Sequence, residues 1–371
     1  MTIGRSNYRT IEERELRPAD LKQIMNRSVS KPSRPSGVRR KPINISQSRQ
    51  INARQLRPDS ALPLLIKPTA TGLDVFEWLG NNRGWLASQL LGHGAILFRD
   101  FSVASLEDFE RFIGTLSSEL LDYSYRSTPR SHLSGKIYSS TEYPAHQLIP
   151  LHNELAYARS WPMKLWFFCV QRAPQGGETP IADSRRVYER IPAEIREEFE
   201  RKGVMYVRNY GDGLDLSWHD VFQTNDKSGV EDFCKDHNIA FTWTDAGRLT
   251  TRQVCQATST HPGTGARVWF NQAHLFHISS LAPEIRESLL ATFSEDQLPR
   301  NAFYGDGTTI GDSVLEEIRA CYRKEAIEFN WQNGDILMLD NMLTAHGRNP
   351  YTGFRKIAVG MAEQFDSSTE F

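Results

Sequence analysis

Cysteine is scarce in this chain. Its 371 residues hold four, Cys169, Cys234, Cys255 and Cys321, with no Cys-x-x-Cys pair among them. That excludes a disulfide-stapled scaffold and a cysteine zinc cluster, and it suits the reducing cytoplasm. Long apolar runs are also missing. Leu165 to Val170 is typical of the longest, far short of the roughly 18 residues a membrane helix needs. Met1 to Leu21 is polar and charged without an apolar stretch, so no secretory leader is expected. Neither G-x-G-x-x-G nor G-x-x-x-x-G-K-S/T occurs, so nothing cradles a nucleotide phosphate in the usual way. No repeat of solenoid or propeller length is found.

A net charge of either sign is nearly absent, since 44 Lys and Arg face 45 Asp and Glu. The total hides an asymmetry: residues 1–60 hold 14 basic side chains against 5 acidic ones. Residues 1–54 read as a basic arm and 55–371 as the folded domain. The arm's Ser30-Lys31-Pro32-Ser33-Arg34-Pro35 and Arg39-Arg40-Lys41-Pro42 stretches have little to bury, and proline blocks regular pairing. A short helix is expected over Glu12–Arg27. A solvated arm is the favoured reading, with an acidic protein partner ahead of nucleic acid as the alternative.

Hydrophobic residues make up 39% of the chain and aromatics 11%, which is enough for a packed core. The apolar run Leu62 to Ile66 suggests where the body begins, with Pro63 at the first residue of a strand or on an edge strand. Helical spacing predicts helices over Asp74–Leu91, Ser105–Leu116, Ala193–Lys202 and Pro283–Glu295. Strand-like runs are Gly94–Arg99, Met163–Arg172, Arg267–Phe270, Glu328–Trp331, Asp335–Leu339 and Lys356–Met361. Strands dominate the second half. A mixed α+β protein with a β-barrel or sandwich core fits this order better than a doubly wound sheet.

Among ten histidines, His152 is the most informative, in Pro150-Leu151-His152-Asn153-Glu154-Leu155. If this piece is extended, residues two apart share a side, so imidazole and carboxylate can grip one cation. Alone, His-x-Glu is common by chance. The second element runs from Gly334-Asp335 through an apolar strand to Asp340-Asn341 and then Ala345-His346-Gly347-Arg348. Two histidines and a carboxylate make the set that holds iron(II) on one face and leaves three positions open. A bidentate 2-oxo acid can fill two of these and dioxygen the third.

Several separated stretches carry a family resemblance: His93-Gly94-Ala95-Ile96-Leu97-Phe98-Arg99, Leu151-His152-Asn153-Glu154, Ala173-Pro174-Gln175-Gly176-Gly177-Glu178-Thr179, Val268-Trp269-Phe270-Asn271-Gln272-Ala273-His274, and Gly334 to Arg348 with Arg355 beyond. Over roughly residues 55–366 the chain resembles the iron(II)/2-oxoglutarate-dependent dioxygenases of the taurine dioxygenase and clavaminate synthase superfamily. Within it, the chain is most similar to amino acid hydroxylases of nonribosomal peptide pathways, of the syringomycin aspartyl hydroxylase type. The resemblance implies a double-stranded β-helix (jelly-roll) core with flanking helices, and Fe(II), 2-oxoglutarate and dioxygen as cofactor and co-substrates.

Carried over residue by residue, His152, Glu154 and His346 match the iron ligands. Thr179 and Arg355 match the hydroxyl and guanidinium that bind the far carboxylate of 2-oxoglutarate; a rigid fork suits that task better than a lysine. Lys356 beside Arg355 and Arg348 farther back are rivals for that register. A hydroxyl closing a turn and a surface ion pair are the plain alternatives for Thr179 and Arg355. Family members that halogenate have a small residue at the carboxylate position, so Glu154 implies hydroxylation, with desaturation and ring closure still open. Asn153, Asn271 and Arg348 are the substrate-side candidates; for Asn271, a buried amide satisfying backbone is an equal reading. His274 and His277 form an H-x-x-H, but no carboxylate or cysteine completes it, so core or pocket roles are expected. Asp212 to Trp218 has the turn chemistry of either a lid or an ordinary connection. The expected substrate is an amino acid oxidised at Cβ, free or tethered to a peptidyl carrier protein. A metal-free binding scaffold is the alternative of a different class.

Overall fold

The computed structural model describes residues 50–367 apart from 124, 126 and 212. The basic stretch 1–49, with the helix expected over Glu12–Arg27, lies outside the described residues. Among the described residues the first strand is Ile51–Arg57, antiparallel to Ser60–Pro68, ahead of the apolar run at Leu62. The first strand is largely exposed, which is why hydropathy does not reveal it. Pro63 sits on an inner strand, not an edge strand. It falls in the irregular stretch of pairing between Gln55 and Arg57 and precedes the parallel pairing that starts at Leu64. No ladder there calls on its missing N–H.

Eight strands form the largest sheet, in the order Ile51–Arg57, Ser60–Pro68, Ala95–Phe98, Ile336–Asp340, Ser160–Gln171, Lys356–Asp366, Ile137–Ser139 and His132–Ser134. Its central strand, Ser160–Gln171, is apolar on both faces, as a strand covered on both sides must be. Trp166 and Phe168 point to one side, where Phe112 and Phe109 of the helix Leu106–Leu116 pack on them, and Trp78, Leu79 and Leu86 of the helix Val75–His93 belong to the same core. Burying each such side chain contributes on the order of 2 kcal/mol. Both helices start on a side-chain cap, Asp74 and Ser105, and the first ends at Gly94 in the left-handed region (φ 74°).

Leu165, Phe167 and Cys169 point to the other side and join Leu337, Leu339, Ile357, Val359 and Met361. Ile181, from a three-stranded sheet ordered Ile149–His152, Thr344–Arg348 and Ile181–Asp183, packs into this same cluster. A two-strand ladder, Gln175–Gly176 with Tyr351–Thr352, extends that region. A four-stranded sheet, Ala240–Trp243, Leu249–Cys255, Val204–Tyr210 and Arg300–Tyr304, forms a separate core with the helix Asp312–Glu325.

The helix expected to Glu295 ends at Thr292. The expected strand Glu328–Trp331 does not form. Phe329 and Trp331 are buried against the large sheet as the alternation implies, but only Ile327 makes a bridge, to Ile181. The Asn330 carbonyl is instead taken by Arg99 at 2.8 Å, whose fork also clasps Asp335 at 2.9 and 2.6 Å. That ion pair ties the end of the strand Ala95–Phe98 to the turn entering Ile336–Asp340.

Candidate active site

His346 lies at the centre of the strand Thr344–Arg348, directly opposite His152 across an antiparallel ladder and opposite Ile181 on its other side. The imidazole rings sit 4.5 Å apart, and Phe167 from the large sheet packs 5.1 Å from that of His346. Glu154 is not on the strand, which ends at His152. The alternation argument for His-x-Glu therefore fails in detail: a turn, with Leu155 at φ 56°, swings the carboxylate round. Asn341 fixes that turn. It accepts from the Glu154 N–H at 2.8 Å and donates to the Glu154 and Pro162 carbonyls, both at 2.9 Å. Asn153 donates to Ser184 and to the Asn341 carbonyl.

The ligand atoms of His152, Glu154 and His346 lie within 4.8 Å of one another. Nδ1 of His152 donates to the Pro150 carbonyl at 2.8 Å, leaving Nε2 as a bare lone pair. Burial is the main cause that pushes the pKa of both histidines down. For His346 the neighbouring His152 and Arg130 add to it, and it falls well below the usual range. Both imidazoles are thus neutral near pH 7, the form that binds a metal. Two neutral imidazoles and one carboxylate, from the segment His152–Glu154 and the distant His346, fit an iron(II) ion with an open face.

The cavity beside them is lined by His152, His346, Phe167, Thr179 and three guanidiniums, Arg130, Arg348 and Arg355. Arg355 donates from Nε to the Gly177 carbonyl at 2.9 Å, and burial, with Arg348 next, lowers its pKa to about 10. Gly177 (φ 76°) lets it approach; a Cβ there would stand 2.9 Å from Arg355 Cδ. Thr179 accepts from the Trp331 indole at 3.1 Å, so its hydroxyl proton remains free to donate. The arrangement is a metal-capable triad beside a cavity lined by three guanidiniums.

Residues 54–361 match the family described as "Taurine catabolism dioxygenase TauD, TfdA family". The chain belongs to this family of dioxygenases. It is 43% identical over 277 residues to the dapdiamide synthesis protein DdaC of Enterobacter agglomerans, covering 75% of this chain and 84% of that one. A clavaminate synthase-like protein of Arabidopsis thaliana is 30% identical over 322 residues, covering 82% and 92%. Among solved structures, PvcB of Pseudomonas aeruginosa superposes with a TM-score of 0.51 at 16% identity, over 84% of this chain and 91% of that one. AAD-2 in complex with Mn(II) and N-oxalylglycine gives 0.51 at 15%, over 86% and 99%. As a member of that family, the dioxygenase runs on iron and 2-oxoglutarate.

The other sequence candidates of this dioxygenase fall differently. Arg348 reaches the cavity, but its fork is tied to the carbonyls of Tyr143, Pro144 and Gln147 at 2.8–2.9 Å. Asn153 and Asn271 are not among the residues lining the cavity. Asn271 donates to the Ala257 carbonyl and accepts from the Ala273 N–H, so both ends of its amide serve backbone. His274 bonds the Leu151 carbonyl and His277 bonds Ser279; among the described residues neither joins a metal-capable cluster. Asp215, in the 212–218 loop, clasps Arg300, and Ser217 caps the helix Trp218–Phe222. Sequence reasoning missed Asn341 and Arg130. Asn341 stands inside the Gly334–Arg348 run, whereas nothing local marks Arg130. Among the described residues, no helix is long and apolar enough to cross a membrane.

Proposed function

We propose that His152, Glu154 and His346 hold the iron(II), and that Arg355 and Thr179 hold the far carboxylate of 2-oxoglutarate. The observation that carries this is the closeness of the three ligand atoms beside a cavity that His152 and His346 line together with the Arg355 guanidinium and the Thr179 hydroxyl. Bound iron, 2-oxoglutarate and dioxygen supply an oxidant strong enough for an unactivated carbon, with succinate and carbon dioxide as by-products. The chain's own residues orient and exclude water. His152 and His346 face each other across an antiparallel ladder, Phe167 and Val359 wall the cavity with apolar surface, and Arg355 anchors the far end of the co-substrate. The eight-stranded sheet and the smaller sheet packed against it by Ile181 read as the two halves of a double-stranded β-helix.

The substrate in this reading is an amino acid hydroxylated at Cβ, presented on a peptidyl carrier protein in a nonribosomal peptide pathway and met in the cytoplasm. Similarity to a dapdiamide synthesis protein supports a biosynthetic role, and the excess of basic residues in 1–60 suits an acidic carrier. Anaerobic absorbance titration with iron(II) and then 2-oxoglutarate tests the cofactor assignment. A visible charge-transfer band that needs both additions and is lost in His346→Ala supports it. Turnover of a free amino acid equal to that of its carrier thioester overturns the carrier part alone.

A further inference from the structure

Between the strands Ile137–Ser139 and Ile149–His152 the chain has neither helix nor strand over residues 140–148. Its opening residues, Ser140 and Thr141, line the cavity, and Ser140 Oγ accepts from Nη1 of Arg355 at 3.4 Å. Beyond them Glu142, Tyr143, Pro144, His146 and Leu148 are exposed, so little apolar burial holds this stretch in place. Glu142 secures its near end, donating to the Pro129 carbonyl and accepting from the Ser131 N–H and the Ser139 hydroxyl. Farther along, Arg348 takes over. Nη1 donates to the Tyr143 carbonyl at 2.9 Å, and Nη2 to the Pro144 and Gln147 carbonyls, both at 2.8 Å. The Tyr351 N–H donates to the Ala145 carbonyl at 2.9 Å.

We propose that Arg348 is a positioning residue that straps the loop 140–148 across the cavity, and that a carboxylate seated at Arg355 tightens the strap. This rests on the reading in which Arg355 holds the far carboxylate of 2-oxoglutarate. Arg348 is buried, and among the described residues neither it nor Arg355 has a carboxylate partner. Both guanidiniums line the one cavity, and the same Tyr351 ring lies 5.2 Å from the first and 5.6 Å from the second. Two like charges in a poorly solvated place repel, and each costs free energy to keep there. An anion bound at Arg355 offsets both charges, so Arg348 stays in its seat and keeps its three carbonyls. Arg348 needs no contact with the co-substrate for this. By reciprocity, the strap strengthens co-substrate binding by the same factor by which the co-substrate steadies the strap.

The full chain, loaded with Mn(II), is followed by hydrogen–deuterium exchange with and without 2-oxoglutarate, beside calorimetry for both ligands. In wild type, 2-oxoglutarate is expected to slow exchange over residues 142–148 at least about fivefold. In Arg348→Met that stretch is expected to exchange rapidly under both conditions, and 2-oxoglutarate affinity to fall at least about fivefold. Mn(II) affinity without 2-oxoglutarate stays within about twofold of wild type, which separates the strap from any disturbance of His346. Arg348→Lys keeps the charge, but a single ammonium spans fewer of the three carbonyls. It falls between the two and serves if Arg348→Met does not fold. Unchanged exchange over 142–148 when wild type takes up 2-oxoglutarate, wild-type 2-oxoglutarate affinity in the Arg348 variants, or a parallel loss of Mn(II) affinity would overturn the proposal. Arg355→Met tests the underlying reading separately: if it binds 2-oxoglutarate as wild type does, the far carboxylate sits elsewhere and that reading fails.

Discussion

The side-chain amide of Asn341 brackets the backbone of Glu154, accepting from its N–H at 2.8 Å and donating to its carbonyl at 2.9 Å. Asn341→Ala strands both groups in a buried place, at a cost of about 2 kcal/mol or more. The expected outcome is a lower Tm together with weaker Mn(II) binding, read by thermal melts with and without metal. A melt shift that leaves Mn(II) affinity at the wild-type value would show that the bracket does not govern the ligand.

Glu154 and Arg130 form a buried ion pair, each side chain 5% exposed or less. Glu154→Ala therefore does two separable things. Metal binding is lost, and the metal-free protein is destabilised by on the order of 3 kcal/mol because a buried cation is left alone. Adding Arg130→Met is expected to recover most of that stability without restoring metal binding. Denaturant melts of the two variants make the comparison.

Gly177→Ala tests the seat of Arg355. The new methyl meets Arg355 Cδ at 2.9 Å on a backbone at φ 76° and pushes the guanidinium off its carbonyl anchor. Affinity for 2-oxoglutarate is expected to fall about tenfold or more, while Mn(II) affinity in the absence of 2-oxoglutarate stays at the wild-type value. Calorimetry with each ligand separates the two.

Burial lowers the pKa of His274 to about 3 and that of His277 to about 4. Unfolded histidine takes its proton near pH 6.5, so below that pH the unfolded chain binds more protons and folded stability drops with falling pH. Stability from these groups is present above pH 6.5 and lost on the way down to their folded pKa. A fully displaced histidine loses on the order of 2 kcal/mol between pH 6.5 and 5. Urea melts across that range should be steeper in pH for wild type than for His274→Gln; identical slopes would refute the assignment.

Sequence reading reached the triad because side-chain type and spacing are local facts. It misjudged how Glu154 arrives, since the turn is held by Asn341, 187 positions away. The helices Val75–His93 and Leu106–Leu116 were legible through helical spacing, as of Val75, Trp78, Leu79 and Leu86 in the first. The strand Leu249–Cys255 was not, because two of its four inward side chains, Thr251 and Gln253, are polar. Phe329 and Trp331 alternate like a strand and are buried like one, yet Arg99 claims the intervening carbonyl. Arg130 owes its importance to what lies next to it in space, and no pattern in its own neighbourhood records that.

Gly347 follows His346, and a Cβ there would stand 2.6 Å from the Ile149 carbonyl oxygen. Slide the strand Thr344–Arg348 by one residue and either His346 or Arg348 must occupy a gap that admits no side chain, while the side chains of the strand turn to the opposite face. The position next to the ligand thus works as a key cut for a single register. The register that seats Gly347 against the Ile149 carbonyl is also the one that sets the two histidines face to face.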